Sequence, residues 1–157
     1  MDRYASARAY LQAHRPDLPV FGMRPHAAAR AARWFLDHFP GEVAYAYKAN
    51  SAVFLIGALY GAGIRAFDVA SLPELEDAAT IPQATLHFMH PVKSRNAIRR
   101  AYFEFGVRCF ALDSEEELEK ILEETGSPDD LELFVRLTVP ARNSSIPLER
   151  KFGVAGE

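Results

Sequence analysis

A lysine closes the apolar run Val43-Ala44-Tyr45-Ala46-Tyr47 and is followed at once by Ala49-Asn50-Ser51, where a helix can begin. The run reads as a buried strand that delivers an amine to its own carboxyl end. A lone buried ammonium is costly, so Lys48 has three physically sensible fates. It pairs with a carboxylate, it reaches along its stem to water, or it serves as an amine of depressed pKa that forms a Schiff base. Other polar residues sit at or near the ends of later apolar runs. Asp68 falls in Ile64–Val69, His90 follows Thr85–Met89, Asp113 follows Val107–Leu112 and Arg136 lies late in Leu131–Val139. From Lys48 onward these positions are spaced by 20, 22, 23 and 23 residues.

Helices fill the intervals. The spacing predicts a helix from about Ala52 to Tyr60, stopped by Gly61-Ala62-Gly63, and further helices near 73–79, 95–105 and 115–124. Ser71 with Glu74, and Ser114 with Glu117, are spaced as capping boxes. Upstream, residues 3–14 read as a short helix ended by Pro16 and Pro19, Val20–Met23 as a brief strand, and Pro25 as the start of a helix to about His38. In that helix Ala27, Ala28, Ala31, Trp34 and Phe35 recur at helical spacing, which places Trp34 in the core.

Strands alternating with helices of about ten residues indicate an α/β fold with a parallel sheet of about five strands. Polar residues at successive strand ends suit one mouth of a (β/α)8 barrel, of which this would be a part, since such barrels take roughly 250 residues. A doubly wound open sheet also binds ligands beyond its strand ends, and periodicity alone does not separate the two. The expected organisation is an N-terminal helical segment, 1–19, and the first part of a barrel domain, 20–157.

Composition narrows the function classes. The chain has 157 residues, 49% hydrophobic and 25% charged, with 18 Lys and Arg against 21 Asp and Glu. The interspersed charges and net charge of −3 leave no basic footprint for nucleic acid and no polybasic membrane anchor. No apolar run approaches the roughly 18 residues of a membrane span, and Asp2, Arg3 and Arg8 interrupt the apolar core a signal peptide needs. The single cysteine, Cys109, reads as a buried structural thiol, and the expected location is cytoplasmic. No metal site is expected.

Five motifs occur in order: Tyr45-Ala46-Tyr47-Lys48-Ala49-Asn50; Phe67-Asp68-Val69-Ala70-Ser71 with Glu74-Leu75; His90-Pro91-Val92-Lys93; Phe110 to Leu118; and Lys151-Phe152-Gly153. Together, over about residues 20–154, they are similar to the amino-terminal half of the pyridoxal-phosphate-dependent decarboxylases built on an alanine-racemase-like (β/α)8 barrel. That group acts on ornithine, lysine or ornithine, diaminopimelate, or arginine. The Phe-Asp-x-Ala-Ser and Asp-Ser-Glu-x-Glu-Leu forms look most like the ornithine and lysine/ornithine branch, which implies a role in polyamine synthesis.

The resemblance implies that Lys48 holds pyridoxal 5'-phosphate as a Schiff base and that Asp68 lies in the cofactor site. The lesser alternative for Asp68 is an N-terminal charge for the following helix. Glu74 matches a site glutamate and is also explained as a capping partner. His90 stands where the family usually has Asn, which points to a supporting role or a surface histidine. Lys93 matches the family's Pro-x-Lys as either a site residue or a solvated loop lysine. Arg136 would face the barrel interior, ion-paired with a carboxylate such as Asp68 or beside the cofactor. Lys151 matches a Lys-Phe-Gly motif near the family's homodimer contact, while Pro147 departs from the polar residue some members carry.

In the family, the cofactor-stacking histidine, the glycine-rich phosphate turns and the acid and cysteine that meet substrate all follow Lys-Phe-Gly. The chain alone is therefore expected to be inactive and to hold the cofactor weakly. Two other readings remain: an alanine-racemase-like protein, disfavoured by Ser51-Ala52-Val53-Phe54 after the lysine motif, and a non-catalytic decarboxylase-like regulator that binds a partner.

Overall fold

A computed structural model describes residues 3–139 and 151–155. The predicted loop 140–150, with Pro147, lies outside the described residues. After helix α1 (Ala7–His14) and helix α2 (Pro25–His38), strands and helices alternate: β1 (Ala44–Ala46), α3 (Val53–Ala62), β2 (Ala66–Val69), α4 (Leu72–Ala78), β3 (Thr85–Phe88), α5 (Arg95–Phe103), β4 (Cys109–Leu112), α6 (Glu115–Thr125) and β5 (Glu132–Val135).

All neighbouring strands pair in parallel, and their order across the sheet is the order of the sequence. This decides the question periodicity left open. A doubly wound sheet reverses direction at a switch point, whereas a sequential order of parallel strands is that of a (β/α)8 barrel segment. Right-handed crossovers then place α3 to α6 on one side of the sheet.

Alternation along each strand divides the sheet into two faces. Phe67, Val69, Leu86, Phe88, Phe110 and Leu112 turn toward the helices and are buried with Leu75, Ile98 and Ile121. Each such side chain contributes about 1.5–3 kcal/mol of burial. The inner face carries Ala44, Ala46 and Ala66, then Asp68, His87, Cys109, Ala111 and Glu132, a set of small and polar side chains.

Local chemistry sets the boundaries. Ser6, Ser71, Ser94 and Ser114 each accept a hydrogen bond from the backbone N–H three residues on, so α1 starts at Ala7 rather than at residue 3. Gly63 in a left-handed conformation ends α3 and accepts the role expected of it, although the helix runs through Gly61 to Ala62. Val20–Met23 forms no strand: Val20 and Phe21 are exposed and no ladder partner lies beside them.

Trp34 also departs from expectation. It is 56% exposed and stacks on His38, because α2 buries its narrow alanine stripe, Ala28 and Ala32, against the core. Small residues let α2 lie close to α3, and Phe35 with Val43, Leu55 and Leu59 lines an apolar groove of about 410 Å³ beside β1. β5 is shorter than the predicted 131–139. It pairs only with β4, its four residues are exposed, and Leu137 continues as an isolated bridge to Val154.

Candidate functional site

β1 ends in a single 3-10 turn, Tyr47–Ala49, that presents Lys48. Two tyrosines hold this turn. The Tyr45 hydroxyl donates to the Asn50 carbonyl at 3.1 Å, and the Tyr47 hydroxyl donates to Asp77 Oδ2 on α4 at 2.5 Å. Tyr47 is buried edge-on against Phe67, and burial together with Asp77 pushes its phenol well above the usual range, so it stays a donor. Asn50 Oδ1 then accepts the Ala52 N–H at 3.0 Å, fixing the entry to α3. Lys48 itself is exposed and, among the described residues, makes no hydrogen bond or ion pair. Of the three fates open to it, the lysine reaches solvent from a rigid base.

Asp68 lies one strand over, opposite Ala46. It is half-buried, and its Oδ1 is buried with no hydrogen-bond partner among the described residues. Burial raises its pKa; Lys48 opposes that rise, Glu74 adds to it, and His87 and Arg136 oppose it. Charges from β1, β3, α4 and the end of β5 thus converge on one carboxyl. An orphaned carboxylate oxygen facing an unpaired lysine is an arrangement that suits an incoming polar ligand carrying its own donor.

Glu74 makes one half of the expected capping box, and its carboxylate takes the N–H of Ala70 in place of that of the N-cap Ser71. Its N–H donates to Ser71 Oγ at 3.4 Å, and its Oε2 accepts the Ala70 N–H at 2.9 Å, so it holds the turn directly after Asp68. His90 is half-buried at the end of β3; its Nδ1 accepts the Val92 N–H at 3.1 Å and its ring meets Phe152 edge-on at 5.2 Å. Arg136 sits just past β5 and is exposed, its guanidinium 5.4 Å from the Phe152 ring centre. Of the two places expected for Arg136, the ion pair with Asp68 is not formed among the described residues; the guanidinium lies beside Phe152 and acts on Asp68 through space.

Phe152 is placed by its neighbour. Gly153 donates its N–H to Asp113 Oδ2 at 2.9 Å, while the Thr138 N–H donates to the Val154 carbonyl and the Val154 N–H to the Arg136 carbonyl. Gly153 has φ of 113°, and a Cβ there would stand 2.9 Å from the Thr138 nitrogen and Oγ1. Gly153→Ala is therefore expected to cost about 1–3 kcal/mol and to free the Thr138 amide, read by urea unfolding and hydrogen exchange. Unchanged protection at Thr138 would contradict this.

Residues 24–157 match the family model described as the pyridoxal-binding domain of the pyridoxal-dependent decarboxylases. The chain belongs to that family. A diaminopimelate decarboxylase of Pseudomonas aeruginosa is 37% identical over 145 residues, covering 84% of this chain and 34% of that protein. The lysine/ornithine decarboxylase of Vibrio vulnificus, solved with putrescine, superposes with a TM-score of 0.75 at 26% identity, over 97% of this chain and 40% of that one. The Paramecium bursaria Chlorella virus arginine decarboxylase shares the fold, with a TM-score of 0.81 at 23% identity over 94% of this chain and 40% of that one. The pyridoxal-binding domain described here thus spans a third to two-fifths of the length of these relatives. Its five parallel strands are those of a partial barrel of the decarboxylase type.

Two features of this pyridoxal-binding domain were not anticipated from sequence. Lys93 is not solvated: it is 4% exposed, its Nζ 2.9 Å from Glu117 Oε1 and 3.0 Å from the His90 carbonyl. Glu117 consequently does not complete the capping box that Ser114 opens; its carboxylate is spent on Lys93 and Lys120. His87 was overlooked altogether. The signal was available, because Thr85-Leu86-His87-Phe88 alternates and puts His87 on the face opposite the apolar residues. Cys109 is buried as expected, and burial with the carboxylates of Glu132, Glu42 and Asp68 pushes its thiol up to about 11, which leaves it protonated and unreactive.

Proposed function

We propose that this domain holds pyridoxal 5'-phosphate through Lys48 and serves a decarboxylase acting on an amino acid whose side chain ends in a second amine, ornithine or lysine first. The observation that carries the reading is an exposed, rigidly based lysine at the end of β1 beside an orphaned, buried oxygen of Asp68 on β2. Support for the substrate class comes from the relatives, one named for diaminopimelate and one for lysine and ornithine.

When bound, pyridoxal phosphate supplies an electron sink for the pair left behind as an α-carboxylate departs as CO2. The chain's own residues have narrower tasks. Lys48 delivers an unprotonated amine to an aldehyde carbon, and the tyrosine-clamped turn fixes where that amine can reach. Asp68 offers a carboxylate to positive charge on the lysine nitrogen or on the bound group. Glu74 holds the backbone that carries Asp68, and Arg136 and His90, gathered on Phe152, flank the same mouth as cofactor contacts. Residues 1–19, which include α1, are in this reading a segment separate from the barrel domain. The complete protein works as a cytoplasmic homodimer in this reading, with Lys151 close to the subunit contact.

The test is to incubate the protein with pyridoxal phosphate, reduce with borohydride and map the adduct. The chain has only three other lysines, Lys93, Lys120 and Lys151. A single adduct on Lys48 is expected; labelling spread equally over Lys120 and Lys151 would defeat the proposal.

A further inference from the structure

Two side chains among the described residues keep a buried polar atom without a hydrogen-bond partner, Asp68 through Oδ1 and His87 through Nε2. They are not scattered. Asp68 and His87 are direct register partners on β2 and β3, so their side chains leave the same face of the sheet from strands about 4.8 Å apart. The His87 side chain is 13% exposed, and its Nε2 lies 2.9 Å from Glu42 Oε2, close enough for charge attraction though not aligned as a hydrogen bond. Glu42 precedes β1, so the imidazole has one carboxylate at its Nε2 and a second, Asp68, as its register partner on β2.

We propose that His87 is a positioning residue for Asp68: lodged beside it on the inner face and within reach of Glu42, its side chain favours the carboxylate form of Asp68 next to Lys48. The inference rests on the reading of Lys48 and Asp68 given above and adds the residue that sets the charge on that carboxylate.

The physical case is a competition at Asp68. Burial, the carboxylate of Glu74 on α4 and the absence of a direct donor all favour the neutral acid, whereas Lys48 after β1, Arg136 beyond β5 and His87 favour the anion. Of these three groups, Lys48 is the one proposed to bind the cofactor, and Arg136 acts through space from beside Phe152. His87 is the one that acts from within the sheet. Farther along the same row stand Cys109 on β4, whose thiol is uncharged, and Glu132 on β5, whose carboxylate adds to the need for a compensating positive charge.

The coupling supplies a test free of catalysis. In purified protein without added cofactor, the Asp68 carboxyl carbon is followed by NMR against pH, with Asp68→Asn providing the assignment. The Asp68 midpoint is expected to rise by about one pH unit in His87→Asn. A purely structural histidine would leave that midpoint in place, and that result overturns the proposal. Should His87→Asn fail to fold, His87→Gln decides alone: a rise of the Asp68 midpoint supports the coupling, and no movement refutes it. Failure of the cofactor reading appears elsewhere, as borohydride labelling that ignores Lys48, so the two outcomes are separable.

Discussion

Lys48→Ala is expected to lower decarboxylation by the complete protein by on the order of 10³-fold or more while leaving its unfolding midpoint unchanged. The two halves of this expectation have different origins. Stability should not move, because the side chain is exposed and makes no hydrogen bond or ion pair among the described residues, and such surface changes usually fall within about ±0.5 kcal/mol. Activity should collapse, because a Schiff base requires a primary amine at that point, and Lys93, for one, is walled in. Lys48→Arg sharpens the comparison. It keeps the positive charge beside Asp68 but cannot form the bond, so it should be as inactive as alanine. Appreciable turnover by the arginine variant, measured as CO2 release with ornithine, lysine and diaminopimelate in turn, would mean that Lys48 acts only as a charge.

The largest expected stability effect lies away from the mouth. Glu117→Gln should cost about 3–5 kcal/mol, a large share of the roughly 5–15 kcal/mol that holds a domain together. Lys93 and Glu117 have side-chain exposures of 0% and 3%, and Lys93 Nζ is otherwise satisfied only by the carbonyls of His90 and Ala111. Removing the carboxylate charge leaves a buried ammonium facing neutral oxygens and also weakens the acceptor of the Lys93 N–H.

The pH dependence follows from the direction of the lysine's shift. Burial depresses the Lys93 pKa, with Glu117 opposing. A folded-state value below the unfolded one means that the unfolded chain binds more protons across the interval between them, so this group's contribution to stability rises with pH through that interval. Glu117→Gln deepens the depression. Its deficit in urea unfolding should therefore be greatest near neutrality and shrink as the pH rises and Lys93 sheds its proton. Lys93→Met with Glu117→Leu should recover much of the loss, because a matched apolar pair removes the desolvation problem itself. A single-variant deficit below about 1 kcal/mol, or one that ignores pH, would show that the pair is not what secures β3 to α6.

Much of the candidate site was legible in the chain because its components are local. Lys48 is visible as the first polar residue after an apolar run, and Glu74 as the partner of a serine three residues earlier. Asp68 was placed at the mouth by its recurrence at the strand-end interval. Cys109 was read as buried from the apolar residues on both sides of it. Each inference needed a window of a few residues and a rule of backbone geometry.

Arg136 and His90 were placed correctly at strand ends, but their partner was not foreseen. Phe152 comes 16 residues after Arg136 and 62 after His90, and only the bridge of Leu137 to Val154 brings it between them. Trp34 shows the converse error. Its spacing on α2 is correct for a buried stripe, yet the helix turns its alanines inward, since close approach to α3 stabilises more than a bulky residue at that contact would permit.

By itself, then, the sequence determined the βα rhythm, the serine caps, the lysine at the end of β1 and membership of the pyridoxal-dependent decarboxylase family, all of which follow from side-chain periodicity and short motifs. Only the tertiary structure decided the sequential strand order that makes the sheet a barrel segment, the pairing of Lys93 with Glu117 across 24 residues, and the register that seats His87 beside Asp68. The reason is that desolvation and charge depend on which atoms surround a group, and those neighbours come from strands and helices far apart along the chain.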